Sequence, residues 1–570
     1  MKKITSLALC GIMTLTAFAG CNFGGGNTGN SSSSSSSSNS APQKPTSNFA
    51  EIAPTVYDVD EIVTADKTTA GNAHAWAREV DLPDGYNHNN EVTNNAVIHS
   101  PWHTLKINGT DVPVYTARCA KGPHSFAWVD VTSHKRNFTL KVELTMDIAY
   151  GKCVVLPENK NVEVEINENQ YTSYITEYGS YTYTFEYEPT AESTNPTYAP
   201  LTIMVTQEEE FEIPDEYEIV EVQPGTHEEN ELNFTEEYKA YVIKKGFHTN
   251  LGGISLPSNS ILYIERGAYI QVVDVQYDNG TWSRAGTLVS SNTYNVKVIS
   301  RGLFDCGKMR GTVEHYRDMM SFALCQDLSV EGLTIINSNS WTLCFYGCQN
   351  FEVNRNLLLG YRVCTDGIMM SECVNGEGRY NFVRTGDDAI EFKGTGNACR
   401  DIVGRDCIYE YNDVWTDKCS GYCITWESNV NMTNMTFRNN NIGFAQSNWN
   451  SDCNALDCRL GINPSSKWSE ITFENIDIYR VNSPNVIAIS NTGYGTQLEN
   501  VYFKNINVKS VKDGTYALRM TFSATGGHFK NIVVENMNFC GKVLTGADKA
   551  DTRVFLNAAP KYFDKELIIQ

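Results

Sequence analysis

The chain has 570 residues, more than one compact domain usually holds, so two domains are expected. A formal net charge of −22 repels nucleic acid and anionic lipid and excludes both as partners. It also opposes polyanionic substrates at long range, unless a local basic patch overrides it. Tyr, Thr, Val, Ile, Asn and Gly are plentiful and long apolar helical stripes are scarce, which points to an all-β protein.

Lys2 and Lys3 precede an apolar run over residues 4–18, too short to span a bilayer as a helix, and Ala19-Gly20-Cys21 follows. This resembles a bacterial lipoprotein signal, which implies a signal peptide over 1–21, lipidation of Cys21 and a mature chain beginning there. Phe18 departs from that motif, where a small or aliphatic residue is usual. The expected location is the extracellular face of a bacterial membrane, lipid-anchored at Cys21, or secretion. Membrane contact is expected through that anchor alone, since no later segment has the length and apolarity to cross. Residues 22–50 are rich in Gly, Asn and Ser, with an unbroken Ser tract over 31–38, a flexible linker that cannot build a core.

Residues 51–212 read as short strands with frequent turns. The segments 126–131, 140–144, 162–166 and 181–187 alternate apolar and polar residues, as half-buried strands of a β-sandwich do. His99, Trp102 and His103 carry metal-ligand chemistry but lack a third ligand nearby and read as packing and turn residues. An acidic stretch from Glu208 to Glu237, with Pro214 and Pro224, is the expected inter-domain connection.

From 213 to 570 the texture becomes repetitive. Residues 328–336, 351–359, 471–478, 501–508 and 532–539 share the form apolar-x-apolar-polar-Asn/Gly-apolar-x-apolar, at intervals of mostly about 22 to 31 residues. No helix-forming half accompanies each strand, which argues against a leucine-rich repeat. A right-handed parallel β-helix fits, with apolar positions stacked inside and Asn laddering at the corners.

The chemistry concentrates between residues 365 and 393. Thr365-Asp366-Gly367-Ile368 is followed by Gly386-Asp387-Asp388-Ala389-Ile390. Asp366 and Asp388 stand 22 residues apart, as do Ile368 and Ile390. A solenoid turning once in that length stacks them, with neighbouring strands about 4.8 Å apart. Three acids that close repel one another, so at least one has a raised pKa, and an acid beside ionised ones is what general acid and base catalysis needs. In a straight strand Asp387 and Asp388 would point to opposite faces, so a bend at Gly386 is required.

These motifs resemble the active-site signature of glycoside hydrolase families 28 and 49, the polygalacturonases and the dextranases with isopullulanases, which form one clan on a right-handed β-helix. The Asp-Asp-Ala-Ile form is nearer family 49, as is Ile424-Thr425-Trp426-Glu427-Ser428, and family 49 also carries an N-terminal β-sandwich. The likeness of pattern spans roughly residues 240–540 and the specific motifs about 360–430. The resemblance implies an inverting single displacement on a polysaccharide, with Asp387 as general acid and Asp366 with Asp388 holding and activating water. It implies sugar stacking on Trp426, and no metal or organic cofactor. Inverting pairs usually stand about 6.5–9.5 Å apart, and stacked coils can bring these closer. Glu391 and Lys393 are further candidate substrate-binding residues.

Two departures bear on substrate. Gly421-Tyr422-Cys423 stands where family 28 has Gly-His-Gly, and Asn441-Ile442-Gly443-Phe444 stands where it has the basic pair that binds a uronate. Without that cation a galacturonan loses its main recognition element, so a neutral α-glucan such as dextran or pullulan is expected, with galacturonan hydrolysis the alternative. Two other readings are a calcium-dependent lyase using the acids as ligands and Arg384 or Lys393 as base, and a non-catalytic glycan-binding surface protein. A monomer is expected.

The chain carries 17 cysteines. Setting aside Cys10 and Cys21 leaves an odd number, so at least one is unpaired. Cys344/Cys348, Cys419/Cys423 and Cys453/Cys458 are close in sequence, but no Cys-x-x-Cys occurs and no His lies nearby, which argues against zinc. Most read as small buried residues in stacked coils, with some disulfides open to an extracellular protein.

Overall fold

The computed structural model describes residues 50–57, 63–64, 98–120, 122–131, 138–186, 200–207, 211–275, 278–280, 287–309, 318–362, 364–398, 401–446, 453–460, 466–491, 497–522, 528–550, 554–557 and 566–570. The signal peptide, Cys21 and the linker as far as residue 49 lie outside the described residues.

Strands between Ile52 and Gln207 form two sheets, one eight-stranded and one five-stranded. Leu140–Met146 alternates buried and half-buried residues, as period-2 patterning predicts. Gly122–Val131 differs from the half-buried strand expected at 126–131, because all ten of its residues are buried. It is central in its sheet, antiparallel to Tyr115–Cys119 and parallel to Leu201–Gln207. One of its faces, with Ala127, Val129 and Val131, fills the core of the N-terminal part. The other, with Phe126 and Trp128, packs on Tyr269, Leu303, Leu357 and Phe382 of the solenoid. Segment 162–166 also departs from expectation. Only Glu165–Asn167 is a strand there, and it is exposed. Asn161, left-handed at φ 50°, closes the turn Glu158–Lys160, and Val162 and Val164 then pack on the core without a ladder. Ser100 Oγ accepts the backbone N–H groups of Trp102 and His103 and meets His103 Nδ1 at 2.8 Å, which makes this segment a turn.

From Glu218 onward the chain winds as a right-handed parallel β-helix. Two rows of strands join in one 24-stranded network and a third row forms an 11-stranded sheet. The coils stack in register: Ile368 pairs with Ile390, Phe392 with Ile424, and Ile424 with Cys458. Identical rings therefore meet one coil apart. Phe437, Phe473 and Phe503 form a column with centroid spacings of 4.8 Å. Asn356, Asn381 and Asn412 form a buried amide ladder, each side-chain N–H donating to the next Oδ1 at 2.8–2.9 Å. Burial of these amides is tolerated because each finds its partner on the neighbouring coil.

Candidate active site

Both acidic motifs fall in a corner of the solenoid. Phe382–Thr385 ends one strand and Ile390–Gly394 begins the next, so Gly386, Asp387 and Asp388 lie in the bend between them. Strand alternation does not apply there, and adjacent acids can share a side. The two motif glycines are required by close backbone approach. A Cβ on Gly386 would overlap the carbonyl oxygen of Arg362, and one on Gly367 would overlap that of Ala389. Gly367 N–H donates to Asp388 O at 2.9 Å, which holds the two motifs one coil apart.

The three acids differ in environment. Asp387 is 9 % exposed, against 4 % for Asp366 and for Asp388, and is the most open to a ligand. It accepts the backbone N–H of Cys364 at 2.9 Å and of Asp388 at 3.0 Å. Burial, then the charges of Asp366 and Asp388, push its pKa well above the usual carboxylate range. For Asp388, burial again favours the neutral form, but Arg459 and Lys393, with the N–H of Ser420 at 2.9 Å, outweigh it and hold the pKa below the usual range. Asp366 is raised by burial, against the opposing pull of Lys393.

Lys393 and Glu391, read from sequence as substrate-binding, lie beneath this corner. Glu391 is fully buried, and Thr425 Oγ1 donates to it at 2.9 Å. Lys393 is 3 % exposed and its Nζ lies 2.8 Å from Asp366, 3.1 Å from Glu391 and 3.4 Å from Glu427, over the ring of Trp341 at 4.1 Å. Their place is support of the acids. Trp426 is 37 % exposed, and a register shift between its strand, Tyr422–Ser428, and Ile390–Gly394 sets the local bulge. Bulges re-aim side chains in this way.

Arg459 was not singled out in the sequence. It sits on Leu456–Leu460, the next strand of the 11-stranded sheet, with Nη2 3.5 Å from Asp388, Nε 3.2 Å from Asp457, and its guanidinium over the Trp426 ring at 5.7 Å. Arg459 thus brings to the site a cation that the sequence reading did not place there. Residues 441–444, aligned with the missing basic pair, lie elsewhere: Asn441 meets Asn159 of the N-terminal part at 3.2 Å. Tyr422, where a histidine would stand, is buried with its hydroxyl on Asn412 O at 2.8 Å. Arg384, offered as a lyase base, is buried against Asp417 at 3.1 Å and His124 at 3.0 Å, in the seam between the two parts of the chain. Two donor sets have metal-binding geometry among the described residues: Asp387, Asp388 and Cys419, and Asp388, Glu391 and Cys423. Calcium takes about six to eight oxygen ligands. Each set offers two carboxylates and a thiol, with Arg459 close to Asp388, a poor match for that ion.

A solenoid corner carrying one acid poised to keep its proton beside one poised to lose it is the class of site that fold and geometry define here. No family model matches the chain, and no curated protein sequence matches it. In structure it is similar to Dex49A from Penicillium minioluteum, at 12 % identity and a TM-score of 0.60, over 85 % of this chain and 97 % of that one. It is also similar to the family 28 exopolygalacturonase of Yersinia enterocolitica, at 12 % identity and a TM-score of 0.48, over 75 % of this chain and 96 % of that one. The likeness to Dex49A is one of fold.

Proposed function

We propose that the protein is a polysaccharide hydrolase that cleaves O-glycosidic bonds with inversion, held at the cell surface through Cys21 or secreted, and acting on a neutral α-glucan such as dextran or pullulan. The observation that carries this reading is the placement, in one corner of the β-helix, of Asp387, the most exposed of the three acids, beside Asp388, which Arg459 approaches at 3.5 Å and the Ser420 N–H at 2.9 Å. Asp387, protonated and the most open of the three, donates to the leaving glycosidic oxygen. Asp388, ionised beside Arg459, takes the proton of the attacking water, and Asp366 on Lys393 orients that water. The water attacks as the bond breaks, so the anomeric configuration inverts in one step.

Local charge supports a neutral substrate. Six carboxyl side chains, those of Asp366, Asp387, Asp388, Glu391, Glu427 and Asp457, crowd this region, and Lys393 and Arg459 are already paired with five of them. A uronate brought here would find both of these cations already engaged. The exposed Trp426 offers an apolar face to a sugar ring.

The test is release of reducing ends from dextran, pullulan and polygalacturonate in the presence of EDTA, wild type against Asp387→Asn, with the product anomer read by NMR. Release of an inverted product from a glucan, abolished by the substitution, is expected. Release only from polygalacturonate would overturn the substrate, and undiminished release by the variant would overturn the site.

A further inference from the structure

Three of the described buried thiols of the solenoid are held on backbone carbonyls. Cys348 donates to Phe322 O at 3.2 Å, Cys373 to Phe345 O at 3.4 Å and Cys325 to Ser290 O at 3.4 Å. They sit between strands with their side chains turned into the coil core, each thiol held on a backbone carbonyl. Their reading as small apolar fillers stands on that geometry.

Cys419 and Cys453 are different. They too lie at corners, but their Sγ atoms face each other at 2.8 Å across 34 residues of chain. That is well inside the contact distance of two unbonded sulfurs. None of the sequence-local pairs makes this approach: Cys419 passes over Cys423, and Cys453 over Cys458, to meet each other. The pair also sits against the acid corner. The Cys419 thiol lies within 4.8 Å of carboxylate oxygens of Asp387 and Asp388, and Ser420, next in the chain, donates its N–H to Asp388. Arg459 spans both sulfurs, with Nη1 3.8 Å from Cys453 and Nη2 3.8 Å from Cys419.

We propose that Cys419 and Cys453 form a disulfide that staples two successive coils directly beneath the acid corner, fixing the Ser420 N–H and the Arg459 guanidinium on Asp388. Closure is a dithiol–disulfide exchange with a small or protein disulfide as oxidant. One thiol, losing its proton, attacks the oxidant to give a mixed disulfide and release one thiol. The second displaces the other, so two protons and two electrons leave the cysteine pair and the oxidant is reduced to two thiols. The bond also removes the one thiol that, with Asp387 and Asp388, completes a soft-metal donor set. In the dithiol form that set is whole, and a thiophilic cation such as cadmium would seat on the acids.

The staple stands apart from the choice of substrate and is tested without one. The full chain, produced by export into an oxidising compartment, is denatured, its free thiols are blocked with N-ethylmaleimide, and it is digested without reduction. A peptide pair cross-linked through Cys419 and Cys453 is expected, with Cys325, Cys348 and Cys373 blocked as thiols. Recovery of both Cys419 and Cys453 as blocked thiols would overturn the proposal, and so would either one bonded to another cysteine. A second readout uses thermal unfolding. Reduction lowers the Tm of the wild type by a few degrees and leaves that of the Cys419→Ser/Cys453→Ser double variant unmoved. An equal fall in both would also overturn it.

Discussion

Arg459 places its Nη2 3.5 Å from both carboxylate oxygens of Asp388, although 71 residues separate the two in the chain. Burial raises the pKa of Asp387, whereas Arg459, with Lys393 and the Ser420 N–H, holds that of Asp388 down, so the surroundings set two neighbours of identical chemistry apart as an acid and a base.

The first prediction follows from that separation. Activity requires Asp388 ionised, so it falls as pH drops through the Asp388 pKa, and it requires Asp387 protonated, so it falls as pH rises through the Asp387 pKa. Removing the cation in Arg459→Met raises the Asp388 pKa, which moves the acidic limb of the kcat/KM profile to higher pH. Arg459→Lys keeps a cation and shifts that limb less. An acidic limb unmoved in Arg459→Met would show that the charge on Asp388 is set elsewhere.

Asp387→Asn removes the proton donor while keeping the shape of the corner. The expected loss on polysaccharide is about 10²–10⁴-fold in kcat. An aryl glycoside whose leaving group is a weak base needs little protonation, so the same variant loses much less on it. Equal loss on both substrates would assign Asp387 a binding role instead. Initial rates on the two substrates decide this.

How far the sequence showed the site depended on distance along the chain. The 22-residue offset placed Ile368 on Ile390 and brought the two acidic motifs together, because in a parallel coil the period is the register. The bend that lets Asp387 and Asp388 share a side was also readable, since Gly386 marks it. Arg459 was not, because its coil is preceded by longer excursions and no periodic residue announces its arrival beside Asp388. The burial of Lys393 and Glu391 was hidden for a related reason. Charges in a strand read as a solvated face until partners from the neighbouring coils, Asp366 on one side and Thr425 and Glu427 on the other, are seen to close over them. In the N-terminal part, strand 126–131 looked half-buried because its second apolar face answers to the solenoid, which period-2 patterning does not describe.

Gly386→Ala and Gly367→Ala test the backbone approach. In each the added methyl meets a carbonyl oxygen of the neighbouring coil, and neither backbone can yield as a flexible side chain would. A loss of about 1–3 kcal/mol in unfolding free energy is expected for each, the usual cost of overpacking. Activity should fall further than stability, since the acids ride on these bends. Urea unfolding with parallel assays measures both, and unchanged values for either variant would contradict the contact.

Asp318 gives a prediction on stability and pH. It is half-buried, accepts the Tyr346 hydroxyl at 2.7 Å, and desolvation raises its pKa to about 6. Unfolded, it titrates near 3.8. Between those values the native state binds more protons than the unfolded one. Its contribution is therefore fully present below about pH 4 and lost as pH rises through about 6. Two pKa units at about 1.4 kcal/mol each make that contribution about 3 kcal/mol. Asp318→Asn, which cannot ionise, should show a smaller fall in unfolding free energy between about pH 4 and about pH 8 than the wild type. An identical fall would mean that Asp318 does not titrate in this window.

Arg384 separates a structural cation from a catalytic one. Its Nε donates to both oxygens of Asp417, at 3.1 and 3.2 Å, and its Nη1 donates to His124 Nδ1 at 3.0 Å. That assigns the ring proton to Nε2, which donates to Thr202 Oγ1 at 2.8 Å. Burial, then the charge of Arg384, holds the His124 pKa well below its ordinary value, so the imidazole stays neutral and accepts. Arg384→Met removes an ion-pair partner of the fully buried Asp417, and breaking a buried pair costs about 3–5 kcal/mol. The seam between the N-terminal sheets and the solenoid should loosen, seen as a lower urea midpoint. At a temperature where the variant remains folded, kcat should stay close to the wild-type value, because Arg384 points into the seam and away from the acid corner. A base in a β-elimination would instead lose nearly all turnover on substitution, at full stability or not, so kcat of the folded variant distinguishes the two roles.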